Sequence, residues 1–222
     1  MDGRTPKIVV LISGSGSNLQ AIIDAIKEAK FEAEISAVIS NKPNVLGLER
    51  AQKASIPSCV IAHQDYPDRA VFDAQLVKEI EKHQPDLIVL AGFMRILTED
   101  FVRRYEGRLI NIHPSLLPKY PGLHTHSRAL DAGDSEHGVT VHFVTAELDS
   151  GPNIIQAKIK TYEGDTPESL AKRVLLQEHI IYPIAVKWFV EGRLQMRGQN
   201  AYLDNELLPE SGLVLEAAEI LH

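Results

Sequence analysis

The sequence predicts an α/β fold of Rossmann-like type, a mostly parallel sheet with helices on both faces. Short apolar runs alternate with stretches of helical periodicity through the first two-thirds of the chain, which is the pattern of successive βαβ units. The first unit is sharply drawn. A strand-length apolar run, Ile8 to Ile12, gives way through a glycine-serine turn to Leu19, Ile22, Ile23 and Ile26 at helical spacing. With 222 residues, 44% of them hydrophobic and 24% charged, the chain can bury one good-sized core and needs no second domain.

Taken in order, strands are expected near Lys7–Ile12, Glu34–Ile39, Ser58–Ile61, Asp86–Leu90, Leu109–Ile112, Val139–Val144 and Ile154–Ile159. The first helix starts at Ser17, which forms a capping-box signature with Gln20 three residues on. Further helices are expected over Leu46–Ala54, Pro67–Lys82, Thr98–Tyr105 and His124–Ala132. A long helix opens at Thr166, with Pro167 at its first position, and runs toward Glu191; Pro183 is expected to kink or split it. The last ten residues read as a tail of little consequence.

Composition removes several function classes. The formal net charge of −7 works against nonspecific nucleic-acid binding, so an anionic ligand must be held by local donors. No apolar run approaches the ~18 residues of a membrane span, and the N-terminus lacks a signal-peptide arrangement, so a cytoplasmic protein is expected. The single Cys59 excludes an internal disulfide and leaves a zinc ribbon without ligands.

Two segments carry chemistry. Ser13-Gly14-Ser15-Gly16-Ser17-Asn18 lies between strand and helix, where free N–H groups and the helix dipole favour an anion. The dinucleotide fingerprint would want a third glycine where Leu19 stands, and an acid where Ser40, Asn41 and Lys42 stand. A mononucleotide or sugar phosphate fits better, and a tight turn that binds nothing is the plainer alternative. The second segment is Asn111-Ile112-His113-Pro114. Strand alternation puts Asn111 and His113 on one face at the carboxyl end of a central strand, with Pro114 holding His113 extended. An imidazole that exchanges protons near neutral pH beside an oxyanion-holding amide suits acyl transfer. Two polar residues stitching down the next loop would look the same.

Asp149, in Glu147-Leu148-Asp149-Ser150-Gly151-Pro152, would favour the imidazolium if it reaches His113; alone it reads as a turn aspartate. His124, His126, His137 and His142 raise the question of zinc. His124 and His126 begin a helix, where residues two apart do not face each other, so no metal is expected.

Four stretches, Ser13–Gln20, Ala91–Leu97 (Ala-Gly-Phe-Met-Arg-Ile-Leu), Asn111–Pro118 (Asn-Ile-His-Pro-Ser-Leu-Leu-Pro) and Asp149–Pro152, resemble in order and spacing the motifs of the phosphoribosylglycinamide formyltransferase family. The resemblance runs from about Lys7 to Pro209 and implies the formyltransferase fold. It implies transfer of a formyl group from 10-formyltetrahydrofolate, as cosubstrate, to the amine of glycinamide ribonucleotide in purine synthesis. By the same resemblance Gly16, Ser17 and Asn18 hold the ribonucleotide phosphate and its neighbours, and Glu178 helps to place the ribose or amine. Arg69, Met94, Arg95, Ile96, Leu97 and Asn111 contribute to the folate site, and Asn111, His113 and Asp149 are the catalytic set. Without the resemblance, Met94–Leu97 would read as a strand-to-helix connection and Glu178 as one face of the long helix. The single domain, 1–222, then divides into a phosphate-binding half (about 1–100), a folate-binding and catalytic half (about 101–209) and a short tail (210–222). The expected assembly is a monomer or homodimer without metal, nucleic acid or membrane partners, and Lys119–Thr125, rich in Pro and Gly, is the candidate lid.

Other readings remain in view. A transfer-RNA formylating relative is expected to add a C-terminal nucleic-acid domain and a formyl-folate hydrolase a preceding regulatory domain, and this chain is expected to have neither. The extension beyond Pro209 is the one departure from the family pattern. A noncatalytic phosphosugar-binding module would use the same glycine loop, and an oxidoreductase is disfavoured by the missing fingerprint.

Overall fold

The computed structural model of the chain describes residues 3–216. Strand β1 (Lys7–Ile12), helix α1 (Ser17–Lys27), β2 (Glu34–Ser40), α2 (Leu46–Lys53) and β3 (Ser58–Val60) build outward on one side of β1. After a 3₁₀ turn at His63–Asp65, α3 (Arg69–His83) carries the chain back, so that β4 (Leu87–Leu90) pairs with the opposite side of β1. Next come α4 (Glu99–Arg104), β5 (Leu109–His113), α5 (Thr125–Asp131), β6 (Glu136–Phe143), β7 (Asn153–Lys160) and α6 (Pro167–Val190). A small sheet of β8 (Leu194–Arg197), β9 (Asn200–Leu203) and β10 (Glu206–Leu207) precedes β11 (Leu213–Glu216).

The main sheet has eight strands in the order β11-β7-β6-β5-β4-β1-β2-β3. All neighbouring pairs are parallel except β5–β6 and β6–β7, where β6 runs against its neighbours. The strand order reverses between β1 and β4, and open α/β sheets bind ligands outside the carboxyl ends of the strands at such a point. Two apolar layers hold helices to the sheet. Ile8, Val10 and Ile12 face α1 and α6 through Leu19, Ile22, Val174 and Ile181, whereas Val9 and Leu11 face α3 and α4 through Phe72, Leu76 and Phe101. Each such side chain removed from water contributes about 1.5–3 kcal/mol, so the period-two alternation in β1 fixes both layers at once.

Four expectations need correction. Ser17 and Gln20 form no capping box: Gly16, at φ 67°, is the N-cap, so Ser17 already lies inside α1 and no side chain caps it. Pro183 does not split the long helix, which runs unbroken as α6. Pro183 lacks the N–H that the His179 carbonyl would accept. Buried Ile181, Tyr182, Ala185 and Val186 hold the segment on the sheet across that gap, and the single Tyr182 Oη hydroxyl is shared between the carbonyls of Leu90 (2.7 Å) on β4 and Ile110 (3.2 Å) on β5. The expected tail is in part a strand, since Leu213–Glu216 pairs in parallel with Ile155–Lys158; residues 217–222 lie outside the described residues. The small β8–β10 sheet was also unforeseen, and β6 begins at Glu136 rather than Val139.

Candidate active site

The glycine loop is held open by a second glycine. A Cβ on Gly16 would lie 2.5 Å from Gly47 Cα, and one on Gly47 would lie 2.4 Å from Ile12 Cδ1. Gly47 also donates its N–H to the Gly14 carbonyl at 3.0 Å, so α2 abuts the loop backbone. With no side-chain cap, the first N–H groups of α1 stay available to an anion, aided by the helix dipole. Asn18 is buried and donates from Nδ2 to Glu178 Oε2 at 2.7 Å, while its Oδ1 is buried with no partner. Burial raises the Glu178 carboxyl above its ordinary value, and the Asn18 amide offsets part of that.

Ser13 joins this loop to the next strand end. Its hydroxyl donates to Asn41 Oδ1 at 2.6 Å and accepts from Met94 N at 2.8 Å, across the point where the strand order reverses. From there Met94 and Ile96 project into solvent, 63% and 57% exposed, which an apolar ligand face would cover. Arg95 stacks its guanidinium 4.7 Å over the Phe72 ring, with a buried Nε that lacks a partner. The segment is closed off by Asp73, a buried carboxylate on α3 that accepts from Thr98 N at 2.6 Å. Leu97 is half-buried against the α3–α4 layer, and Arg69 lies exposed at the first position of α3, one turn from Phe72.

Asn111, His113 and Asp149 come together from β5 and the β6–β7 loop. His113 Nδ1 lies 3.5 Å from Asp149 Oδ2, and His113 Nε2 lies 2.8 Å from the Tyr120 carbonyl. Both ring nitrogens therefore face oxygen acceptors, an arrangement that an imidazolium satisfies with its two N–H groups. Asp149 adopts φ 50° and accepts from Gly122 N at 2.8 Å, which ties the Lys119–Thr125 segment to the same carboxylate. Gly151, two residues on, presses on β6 so closely that a Cβ would sit 1.8 Å from the Phe143 carbonyl oxygen, and this fixes the turn that aims Asp149.

His142 is the residue that sequence reasoning did not place. It faces Asn111 across the antiparallel β5–β6 pair. Its Nδ1 lies 2.9 Å from the Phe143 carbonyl and so donates, leaving Nε2 to accept from Asn111 Nδ2 at 3.3 Å. Burial pushes His142 down to about 4, against the opposing pull of the Phe143 carbonyl and Asp149, and keeps the ring neutral. One Asn111 N–H is thus committed, and the amide's orientation is set by a buried acceptor. The signal was latent in the alternation of Val139, Val141 and Phe143 with Thr140 and His142, and only the pairing partner of β6 was missing.

The other histidines do not join this cluster. His126 Nδ1 and His137 Nε2 meet at 3.0 Å, and burial lowers both, His137 to about 4. His124 is the exposed residue before α5, at φ 58°. Among the described residues, no three His, Cys, Asp or Glu side chains converge in a metal-binding arrangement.

Comparison with known proteins agrees with this geometry. A family model described as formyl transferase matches residues 6–186. The phosphoribosylglycinamide formyltransferase of Escherichia coli (strain K12) is 55% identical over 205 residues, covering 92% of this chain and 97% of that protein. The trifunctional purine biosynthetic protein adenosine-3 of Homo sapiens is 45% identical over 197 residues, which are 89% of this chain and 19% of that much longer protein. The solved phosphoribosylglycinamide formyltransferase of Coxiella burnetii superposes with a TM-score of 0.91 at 54% identity, covering 95% of this chain and 99% of the other. A Rossmann-like sheet, an uncapped glycine loop and an Asn-His-Asp cluster at the strand ends are thus found in a sequence matched along nearly its whole length, and the chain belongs to the phosphoribosylglycinamide formyltransferase family of formyl transferases.

Proposed function

We propose that this chain transfers the formyl group of 10-formyltetrahydrofolate to the amine of glycinamide ribonucleotide, acting in the cytoplasm as a monomer or homodimer. The observation that carries the reading is the convergence of Asn111, His113 and Asp149 beside two differently built surfaces, an uncapped glycine loop and an exposed apolar segment. The loop suits a phosphate, with Asn18 and Glu178 beside it for the ribose or amine. The apolar Met94–Leu97 segment, with Arg69 near its anchor on α3, suits the flat ring system and anionic tail of a folate. In this reading the N-terminal half, about 1–100, carries the phosphate loop and the half from about 101 to 209 carries the catalytic set.

The amine nitrogen forms a bond to the formyl carbon and the bond from that carbon to folate N10 breaks. The proton lost by the amine ends on N10. Between those events the formyl oxygen carries negative charge, and the uncommitted N–H of Asn111 with an N–H of His113 stabilise it. His113 delivers a proton to N10 and recovers one from the attacking nitrogen, while Asp149 orients the ring. The Tyr120 carbonyl competes for the His113 Nε2 proton, so the Lys119–Thr125 segment must yield that proton as substrate enters.

The test is formyl transfer measured with and without glycinamide ribonucleotide, beside His113→Ala and Asp149→Asn. Acceptor-dependent product, reduced about 10²–10⁴-fold in both variants, is expected. Folate turnover without acceptor would instead identify a hydrolase. Retained ribonucleotide binding with no turnover would point to a binding module.

A further inference from the structure

The loop that carries Asp149 returns into β7 through an irregularity. Val141 on β6 lies opposite Ile155 but His142 lies opposite Asn153, so Ile154 is an extra residue on β7, a bulge beside the histidine that orients Asn111. On the β6 side the return is held by Phe143 N, which donates to the Pro152 carbonyl at 3.0 Å. On the outer side it is held by the segment leading into β11. Asn153, at the first position of β7, donates from Nδ2 to the Glu210 carbonyl at 2.8 Å. Gly212 is buried at φ 72°, and a Cβ there would lie 2.5 Å from the Ile154 carbonyl carbon and 2.8 Å from Ile155 N. Its backbone thus rests on the peptide of the bulge itself. A bond of 2.8 Å from Gly212 N to the Pro209 carbonyl closes the turn that brings the chain there.

We propose that Asn153 and Gly212 are positioning residues for formyl transfer: clamped together on the Ile154 bulge, they fix the β7 register that aims Asp149 at His113 and keeps His142 against Asn111. This rests on the reading of Asn111, His113 and Asp149 as the catalytic set. A bulge leaves one residue outside the ladder and lets the strand bend, so the register beside it needs a brace. A slip of one residue would carry the chain about 3.3 Å along the strand. The contact at stake, Asp149 Oδ2 to His113 Nδ1, is itself only 3.5 Å long. Bonds inside the loop do not supply the brace, since Ser150 N and Thr145 Oγ1 donate to the Glu147 carbonyl and Ser150 Oγ to that of Leu148, all within the loop. The Glu210–Gly212 turn comes from a distant part of the chain and meets β7 where the loop ends, which is where a brace acts on everything before it.

Three substitutions in the whole chain test this. Gly212→Ala pushes the turn off the bulge, Asn153→Asp keeps the side-chain shape but removes the donor, and Leu215→Ala weakens β11 at its pairing with Ala157, away from the bulge. In the transfer assay Gly212→Ala should lower kcat about 10- to 100-fold, the effect of a catalytic group misplaced by about an ångström. Asn153→Asp should lower it by a smaller factor, and both KM values should stay within about twofold. Leu215→Ala should match the native kcat. Hydrogen exchange at Gly122 N–H, which donates to Asp149 Oδ2, reads the carboxylate's position with no substrate present. It should quicken roughly fivefold or more in Gly212→Ala and Asn153→Asp and stay native in Leu215→Ala. If Gly212→Ala does not fold, Asn153→Asp, at a partly exposed site, decides by the same two readouts. Native kcat and native Gly122 exchange in the folded variants would overturn the proposal. Equal losses in Leu215→Ala would overturn it too, since β11 would then act through general stability. A native chain that transfers no formyl while Gly122 exchange responds as expected would sink the proposed reaction and leave the brace standing.

Discussion

Alanine placed at four glycines separates the two costs that the glycine loop avoids. Gly14 has an unstrained backbone and nothing within 4 Å of its absent Cβ, whereas Gly92 has the same space at φ 72°. Gly47 has an unstrained backbone but a Cβ position 2.4 Å from Ile12 Cδ1, and Gly16 combines φ 67° with a Cβ position 2.5 Å from Gly47 Cα. Gly14→Ala should therefore stabilise by about 0.4–1 kcal/mol, because only the unfolded chain loses freedom. Gly92→Ala should cost about 1–2 kcal/mol for the left-handed backbone, and Gly47→Ala about 1–3 kcal/mol for overpacking. Gly16→Ala should cost about 3–5 kcal/mol, since both penalties apply and the obstacle is another backbone. Against a typical total of about 5–15 kcal/mol that is a large fraction, easily read from urea titrations extrapolated to water. If Gly16→Ala matched Gly92→Ala within about 0.5 kcal/mol, the contact between the loop and α2 would not be the reason for a glycine there.

Three further outcomes are expected. Glu178 keeps its proton to higher pH in the folded chain than its ordinary value of 4.5, so folding stability falls as pH rises from that value through the folded one. Glu178→Gln should accordingly raise the melting temperature at pH 7, lose that advantage below about pH 4, and raise the KM for the ribonucleotide. His142 is held neutral down to about 4 where an unfolded histidine would protonate near 6.5, so stability present above pH 6.5 is lost as pH falls toward 4. His142→Gln should flatten the acid limb of a pH-dependent melting curve while lowering kcat through a misaligned Asn111. Asp73→Ala should leave Thr98 N–H unpaired and raise the KM for 10-formyltetrahydrofolate about tenfold by loosening Met94–Leu97, with Asp73→Asn, which keeps an acceptor, losing much less.

Residues whose role depends on local pattern were readable from the sequence. The apolar run of β1 and the helical spacing of Leu19, Ile22, Ile23 and Ile26 specify the first βα unit, and all seven expected strands form within a few residues of their expected bounds. The meeting of Asp149 with His113 was only conditional in the sequence, because 36 positions separate them and the contact depends on which strands become neighbours. His142 escaped for the same reason: its partner is set by β6 running antiparallel beside β5, a long-range choice with no local signal. The capping-box reading of Ser17 failed because a left-handed glycine one residue earlier took the cap position. Leu213–Glu216 looked like a tail because four apolar-rich residues have no structure of their own until the edge of β7 supplies their hydrogen bonds.

The Ser13 hydroxyl has a kinetic implication. One oxygen atom bridges the ends of β2 and β4, so the cradle proposed for the acceptor and the segment proposed for the donor are parts of one stiff platform. Two reactants seated on such a platform meet at a separation set during folding, and the translational entropy of bringing them together is lost on binding, before the chemical step begins. In the proposed reaction the segment expected to move is Lys119–Thr125, which contacts His113 through the Tyr120 carbonyl and Asp149 through Gly122 N, on the far side of the reacting groups from that platform's serine.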